Sequence, residues 1–561
     1  MEHRPWHDFY DEGIPTSLSY PEVPLFHFLE DSAKKYPDKP CTIFKGAEIS
    51  YKEMSKITDN LAAALVDLGV KKGDRVGILI PNTPQFVMAF FAVLKAGGIV
   101  VATNPQYTGR EIKHQVNDSG MKLMILMSNY YELVKSVQSE TAISQLVVTN
   151  IKETLPPLLS VLFTLAKEKK GGFKVTLRDN DLWLPDLLTK YSGQDCPEIE
   201  VGPEDTAIFQ YSGGTTGVPK AAIGLHRNLV ANTIQMLHWI TSGEMGNEVV
   251  MMAIPLYHVY GMVAGMNYGL AAGGTLVMVP DPRDLKDLLS NMQKYKTTIF
   301  PAVPALYNAI NNNADVIAGK YDLSAIKACI SGSAPLMRET KETFEKLTGG
   351  GLFEGYGLSE TPTATHCNPN LGENRTGSIG LPFPDVDAKI VDLEDEVTEL
   401  EVGEIGELII KAPQVFKGYH NMPTETRNSL RDGWLYTGDI ARMDEQGYFY
   451  IVDRKKELIK PGGFQVWPRE VEEILQDHPA IQDVGVAGVP DPKRGEIVKA
   501  WIVLTEGHDL DREELKTWCI DKLAKYKIPS EIEIRAELPK THVGKLLRRE
   551  LVREHKEGQA E

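Results

Sequence analysis

The stretch Tyr211-Ser-Gly-Gly-Thr-Thr-Gly-Val-Pro-Lys220 combines three glycines, three hydroxyl side chains and one lysine within ten residues. Glycine allows positive φ and lets a ligand come close to the backbone. Exposed N–H groups and hydroxyls together form a concave site for an anion. The spacing is not that of a P-loop, because Lys220 comes three positions after Gly217 and is followed by Ala221. The stretch therefore predicts a phosphate-binding loop, and an ordinary glycine-rich turn is the alternative.

Around this loop, helical and strand patterns alternate through most of the first 350 residues. Helical patterns over 60–68 and 84–95 are each followed by a short β-branched run, over 75–80 and 98–102. This alternation is typical of parallel sheets covered by helices on both faces, so we expect an α/β fold. The apolar run 86–94 lies between predicted strands, and we interpret it as a buried core helix rather than a membrane-seeking element.

The sequence changes character in its last third. From about 375 to 455, short strands separated by Gly and Asp predict a small antiparallel unit. The last hundred residues return to a mixed pattern, with helices near 469–476 and 511–523 and strands near 483–488 and 498–504. We therefore predict two domains, residues 1–455 and 456–561.

Composition excludes several classes of function. A chain of 561 residues is too long for one compact core. The net charge of −17 disfavours nucleic acid as a partner. Five scattered cysteines without a Cys-x-x-Cys pair indicate neither a zinc site nor a disulfide framework. The N-terminal residues lack a secretory signal, so we expect a cytoplasmic protein with at most peripheral membrane contact.

One apolar segment stands apart from this pattern. Leu155-Pro-Pro-Leu-Leu-Ser-Val-Leu-Phe-Thr-Leu-Ala is followed by Lys167-Glu-Lys-Lys. An apolar helix that ends in lysines can lie on a membrane surface. The alternative, which we favour at this point, is a surface helix packed on its own domain.

Further motifs follow the loop in the order shown by the adenylate-forming superfamily, and the chain resembles that superfamily from about residue 25 to about 550. These motifs are Gly332-Ser-Ala-Pro-Leu, Phe353-Glu-Gly-Tyr-Gly-Leu-Ser-Glu-Thr, Tyr436-Thr-Gly-Asp439, Asp453-Arg-Lys-Lys and Pro539-Lys-Thr-His-Val-Gly-Lys545. They are most similar to those of bacterial and archaeal fatty-acyl-CoA ligases. The resemblance implies a large N-terminal domain of two parallel-sheet α/β subdomains plus a small β-barrel-like unit, hinged to a small mobile α+β C-terminal domain.

The resemblance also implies an ATP site. Tyr356 would stack on adenine, and Asp439, assisted by Arg454, would receive the ribose hydroxyls, for which a bidentate carboxylate is suited. Glu360 and Thr216 would hold Mg²⁺. The full set of implied ATP and AMP contacts is Ser212, Gly213, Gly214, Thr215, Thr216, Gly217, Lys220, Gly332, Ser333, Ala334, Gly355, Tyr356, Gly357, Ser359, Asp439 and Arg454.

Catalysis and the thiol channel are assigned by the same resemblance. Lys545 would bridge the carboxylate and the α-phosphate, because an anionic nucleophile attacking an anionic phosphorus needs focused positive charge. Lys456 falls at the hinge about which the C-terminal domain swings after adenylation, and Lys545 then leaves the site. The loop that would enter to form the coenzyme A channel carries Lys460, Gly462, Gly463 and Phe464.

The acyl pocket is implied by Pro255-Leu-Tyr-His-Val-Tyr-Gly and the small apolar residues after it. Its candidate residues are His258, near the reacting carboxylate, and Tyr260, Gly261 and Met262. In the same superfamily, peptide-synthetase adenylation domains place an aspartate in this region to hold the amino group of their substrate. Position 258 is His instead, which disfavours an amino acid substrate. Some long-chain members carry a gating tryptophan where this chain has Met262. A tightly packed helix would show the same composition as a pocket wall.

We therefore expect an ATP-dependent acid–CoA ligase, acting on a medium- to long-chain fatty acid with ATP, Mg²⁺ and coenzyme A. The alternatives are an aryl-acid CoA ligase, a ligase that hands acyl-AMP to a carrier protein, a luciferase-type oxidation enzyme, and a non-catalytic ATP-binding module. A homodimer is compatible with the sequence.

Overall fold

The computed structural model of the protein describes residues 3–212, 219–461, 464–520, 522–541 and 546–560. Within these ranges the chain forms four sheets. No helix in these ranges has the length and apolar character needed to cross a membrane.

The first sheet has at one side the two strands that flank the predicted phosphate loop. In order across the sheet, its described strands are Leu182–Trp183, Gln145–Thr149, Leu123–Met127, Arg75–Leu79, Ile99–Ala102, Thr206–Ser212 and Lys220–Leu225. All neighbours are parallel except the last pair, which is antiparallel. Leu123, Ile125 and Met127 belong to one core cluster, and Met124 and Leu126 belong to another. The sheet is therefore buried on both faces, as the apolar runs predict.

The second sheet supplies most of the candidate site. Its described strands are, in order, Leu381–Pro382, Ala364–Cys367, Gly351–Gly357, Ala328–Ser331, Ile299–Ala302, Val249–Met252, Thr275–Met278, Pro40–Phe44 and Ala47–Ser50. Its central strands are parallel. The described α-helices before residue 455 are His27–Lys35, Tyr51–Asp67, Pro84–Lys95, Gly109–Ser119, Tyr131–Gln138, Pro157–Ala166, Leu184–Lys190, His226–Trp239, Tyr268–Ala271, Leu285–Tyr295, Pro304–Asn311, Ala314–Ile317, Arg338–Thr348 and Pro423–Ser429, with a π-helix at Tyr260–Asn267.

Helix Pro84–Lys95 explains how the two sheets are joined. Every residue in it is buried, and it contacts strands of both sheets. Even Lys95 is 1% exposed at its side chain, where its ammonium pairs with Asp59 at 2.6 Å and Glu30 at 3.2 Å. A buried ammonium needs such partners because desolvation of the charge is costly. The interpretation of 86–94 as a core helix is confirmed.

The third and fourth sheets complete the predicted fold class. The third is fully antiparallel and contains Asp387–Val391, Gly406–Lys411, Leu430–Arg431, Trp434–Met443 and Phe449–Arg454. The turn Lys455–Glu457 follows, where the sequence predicts the domain boundary. The fourth sheet, Ile481–Asp491, Gly495–Leu504 and Glu531–Arg535, packs with helices Pro468–Gln476, Arg512–Ile520 and Arg548–Ala560 around its own cores. The α/β class with an α+β C-terminal part is confirmed.

Candidate active site

Asp439 forms the polar end of the candidate site. The register of the third sheet places it directly opposite Arg454, and Arg454 Nε lies 3.0 Å from Asp439 Oδ1. The Tyr356 hydroxyl donates a hydrogen bond to Asp439 Oδ2 at 2.6 Å. The Asp439 side chain is only 4% exposed. The charge of Asp439 raises the pKa of Arg454, and burial followed by that same charge raises the pKa of Tyr356. Two partners therefore hold the Asp439 carboxylate in one orientation.

Tyr356 also lies on the wall of a cavity at the carboxyl ends of two parallel strands, Ala328–Ser331 and Gly351–Gly357. Such strand ends are the usual binding edge of an open α/β sheet. The cavity has an empty volume of about 550 Å³, and the predicted residues that line it are Tyr260, Gly332, Ser333, Gly355, Tyr356 and Gly357. A Cβ at Gly332 would lie 3.2 Å from the Tyr260 ring, so glycine allows the two walls to meet. Ala334, which follows Ser333, is half-buried.

The rest of the lining of this cavity is mainly apolar. It is formed by Met236, Trp239, Ile240, Ala264, Ile330 and Phe383, together with His366 and Cys367. The Tyr260 side chain is held in the lining because its hydroxyl donates a hydrogen bond to the Ile330 carbonyl at 2.6 Å. A cavity that is mainly apolar and carries a few polar groups suits a ligand of the same character.

Gly261 and Met262, two of the predicted acyl-pocket residues, do not line the cavity. A Cβ at Gly261 would lie 2.4 Å from the Pro255 carbonyl oxygen, so the glycine permits close packing of the π-helix. Met262 is fully buried in the core. The segment therefore combines a tightly packed helix with a cavity wall. Gly261 and Met262 pack in the interior, whereas Tyr260 and Ala264 line the cavity. His258 precedes the π-helix, and its ring lies 4.7 Å from that of Tyr257.

Glu360 and Lys220 converge on one tyrosine that the sequence analysis missed. The Tyr419 hydroxyl donates to Glu360 Oε1 at 2.6 Å, and Lys220 Nζ lies 5.6 Å from the centre of the Tyr419 ring. Tyr419 reaches this position because residues 418–420 pair with strand Lys220–Leu225. The backbone N–H of Phe416 also donates to the Glu360 carbonyl at 2.8 Å. The predicted metal carboxylate and the predicted phosphate lysine therefore share one corner of the site, and Ser359 is half-buried beside Glu360.

Lys220 has a second partner that no sequence spacing indicated. Its ammonium pairs with the carboxylate of Glu425, on helix Pro423–Ser429. This pairing is the main reason that the pKa of Glu425 is lowered. The Lys220 side chain is 14% exposed and that of Glu425 is 43% exposed. Glu425 therefore neutralises the cation that the loop would offer to a phosphate.

Substitution of Glu425 tests whether its carboxylate competes with phosphate for Lys220. We expect Glu425→Gln to bind MgATP about threefold more tightly, because a half-exposed ion pair of up to about 1 kcal/mol no longer has to be broken. Calorimetric titration of the full chain with MgATP measures the change. Glu399→Gln is the matched control, since Glu399 pairs with Lys389 at 2.7 Å and is similarly exposed. Weaker binding by Glu425→Gln alone would mean that Glu425 holds Lys220 in place rather than competing for it.

The described residues of the predicted hinge and thiol channel do not line this cavity. Lys456 is exposed in the turn Lys455–Glu457. The Lys460 backbone N–H donates to Glu496 Oε2 at 2.8 Å. Phe464 is 56% exposed and stacks on Tyr526, with ring centres 4.5 Å apart. The cavity described above is lined by residues between 236 and 383, so the structure does not bring these residues to it.

Several predicted site residues lie outside the described residues. They are Gly213, Gly214, Thr215, Thr216, Gly217, Gly462, Gly463 and Lys545, together with the side chain of Ser212. The backbone of Ser212 ends strand Thr206–Ser212, paired with Lys220.

Comparison with known proteins matches this architecture over almost the whole chain. The model of the AMP-binding enzyme family matches residues 29–420, and that of the AMP-binding enzyme C-terminal domain matches residues 470–545. A long-chain-fatty-acid–CoA ligase of Bacillus subtilis (strain 168) is 42% identical over 99% of this chain and 98% of the relative. A protein of the same name from Escherichia coli O157:H7 is 38% identical over 97% of each chain.

Solved structures agree with these relatives. ATP-bound MatB from Rhodopseudomonas palustris superposes with a TM-score of 0.83 at 28% identity, covering 96% of this chain and 99% of that one. The anthranilate CoA ligase AuaEII, in complex with anthranoyl-AMP, has a TM-score of 0.84 at 25% identity, with 97% and 99% covered. The resemblance inferred from the motifs is confirmed, and the chain belongs to the family of AMP-binding enzymes.

Proposed function

We propose that the protein is an ATP-dependent fatty-acid–CoA ligase. In the first step a carboxylate oxygen of the acid attacks the α-phosphorus of ATP, which forms acyl-AMP and releases pyrophosphate. In the second step the deprotonated thiol of coenzyme A attacks the acyl carbon and AMP leaves. The observation that carries this proposal is one cavity whose mainly apolar lining includes Tyr356, the side chain that bonds the buried carboxylate of Asp439. The fatty-acid specificity in the names of the Bacillus and Escherichia relatives supports the same substrate class.

The polar end fits a nucleotide. Asp439 is buried, so a hydroxyl that reaches it exchanges water for a charge-assisted hydrogen bond in a site of low dielectric. Arg454 and Tyr356 fix the orientation of the carboxylate before the ligand arrives, which lowers the entropic cost of binding. Asp439 thereby orients the ribose, Tyr356 packs against the base, and Gly332 and Gly355 leave room for the nucleotide between the strand ends.

The corner formed by Glu360, Tyr419 and Lys220 fits a magnesium–phosphate group. Mg²⁺ is commonly held by one or two carboxylates plus substrate phosphates, rather than by an all-protein cage. Among the described residues no group of three or more acidic, His or Cys side chains is arranged to hold a metal ion, and Glu360 supplies a single carboxylate. When bound, Mg²⁺ would neutralise the phosphate charge and polarise the reacting phosphoryl oxygens. Tyr419 holds Glu360 in place, and Lys220 adds a second positive charge.

The experiment that tests the function is pyrophosphate release from MgATP with acids from acetate to palmitate and with coumarate, each with and without coenzyme A. We expect acyl-CoA formation with C8–C18 acids that requires coenzyme A. Turnover with coumarate and with none of the fatty acids would instead identify an aryl-acid CoA ligase. The aromatic rings of Trp239, Tyr260 and Phe383 in the cavity lining favour this second candidate. Absence of release with every acid would contradict the proposal.

Lys545 is proposed, from the motif resemblance, to act only in the first step. We expect Lys545→Ala to slow adenylation about 50-fold, the cost of losing a charge-assisted contact. Thioester formation from supplied acyl-adenylate is expected to change less than about threefold, because that step has no phosphorus attack to support. Stopped-flow assays of the two half-reactions measure both rates. Lys540→Ala is the control, since Lys540 is a neighbouring lysine paired with Asp483 at 2.5 Å. Equal slowing of both steps would contradict the proposal that Lys545 acts only in adenylation.

A further inference from the structure

Helix Pro157–Ala166 presents its apolar stripe to solvent instead of to the core. Leu158, Val161, Leu162 and Leu165 have the spacing i, i+3, i+4 and i+7, which places them on one face. Their exposed fractions are 72%, 58%, 51% and 80%. None of the residues of this helix is buried. The helix is therefore a surface helix, as expected, but the side that it packs on its own domain is not the apolar stripe.

The opposite side of the helix fixes this orientation. The Phe163 ring packs edge-on against Phe173, with centres 5.3 Å apart. Just after the helix, Glu168 is buried and accepts from Lys152 Nζ at 2.6 Å and from Asn150 Nδ2 at 3.1 Å. These contacts attach both the helix and the turn that follows it to the first sheet. The apolar stripe is thus held facing outward.

A cluster of exposed cations continues from the C-terminal end of the helix. Lys167, Lys169, Lys170 and Lys174 are all exposed. Glu168 is the only acidic residue between positions 155 and 175, and its carboxylate is used by Lys152 and Asn150. This local excess of positive charge occurs on a chain with a net charge of −17. A surface that is both apolar and locally basic complements anionic lipid headgroups above an acyl layer.

We propose that helix Pro157–Ala166 and the following lysines form a docking surface for an anionic lipid bilayer. The helix has ten residues and is about 15 Å long, so it lies in the interface and does not cross it. Its exposed face offers a footprint far below the roughly 800 Å² per partner that a stable protein dimer buries. Insertion into a bilayer has no such threshold, because each buried leucine contributes independently.

Co-sedimentation of the full chain with vesicles tests the surface without any substrate, and its result is therefore independent of the ligase reaction. The vesicles are equal mixtures of phosphatidylglycerol and phosphatidylcholine, or phosphatidylcholine alone. We expect binding to the anionic vesicles that weakens as salt is raised. The double variant Leu162→Gln with Leu165→Gln is expected to bind at least about tenfold more weakly. Lys169→Gln with Lys170→Gln is expected to lose roughly tenfold on anionic vesicles only.

The matched control is Leu371→Gln with Val397→Gln, because these side chains are 72% and 75% exposed and lie outside the helix. It is expected to bind vesicles like the unmodified chain. Circular dichroism and turnover of octanoate verify folding, and Leu158→Gln replaces the double variant if that one does not fold. The proposal is overturned if the unmodified chain does not bind anionic vesicles or if the leucine variants bind equally well. It is also overturned if the leucines instead hold together a lipid-independent dimer, seen by analytical ultracentrifugation.

Discussion

Glu360→Gln will slow acyl-adenylate formation by about 300-fold, the largest effect we expect from a single substitution of a described residue. The substitution keeps the size of the side chain and its acceptor for Tyr419 but removes the negative charge. A neutral amide is a poor ligand for Mg²⁺, and removal of one element of electrostatic preorganisation costs about 100- to 1000-fold in rate. Rapid-quench measurement of pyrophosphate release at increasing MgCl₂ is the assay.

Two variants separate the charge of Glu360 from its orientation. Tyr419→Phe removes only the hydroxyl at 2.6 Å and is expected to cost about threefold to tenfold, the value of one hydrogen bond to a charged group. Glu345→Gln is the control, since Glu345 pairs with Lys341 at 2.8 Å on helix Arg338–Thr348, away from Tyr419. If excess Mg²⁺ does not recover part of the Glu360→Gln rate, or if Tyr419→Phe is as slow as Glu360→Gln, then Glu360 does not act through the metal.

The fold was largely predictable because its signals are local. Alternating helices and apolar strands indicate buried parallel sheets, and residues 123–127 divide between two cores as that architecture requires. The Gly- and Asp-punctuated region before Arg454 indicates antiparallel strands, which the third sheet contains. Local patterns do not give the direction in which an apolar helix faces. Residues 157–166 have the stripe of a packed helix, and only the tertiary contacts of Phe163 and Glu168 show that the stripe points outward.

The site was predictable where a motif carries the chemistry and not where tertiary pairing supplies it. Asp439, Arg454, Tyr356 and Glu360 each lie in a recognisable motif. Tyr419 lies 59 positions from Glu360 and reaches it only because residues 418–420 pair with the strand that follows the phosphate loop. The contact between Glu425 and Lys220 also depends on tertiary structure. Nothing in the sequence of helix Pro423–Ser429 indicates that Glu425 will pair with Lys220.

Asp439→Asn will weaken ATP binding by about 100-fold, because the bond proposed to orient the ribose and the charge that pairs with Arg454 are lost together. Two hydrogen bonds to a charged group contribute about 3 kcal/mol, which corresponds to this factor. The Arg454 guanidinium, whose side chain is 36% exposed, would also lose its carboxylate partner, which costs further free energy. Tyr356→Phe leaves the charge pair intact and is expected to weaken binding only about fivefold.

Asp387→Asn is the matched control, because Asp387 lies in the same sheet and pairs with Arg4 at 2.8 Å. Calorimetry gives the affinities, and thermal unfolding without ATP separates loss of the site from loss of the fold. Binding by Asp439→Asn within about threefold of the unmodified chain would show that the ribose is held elsewhere.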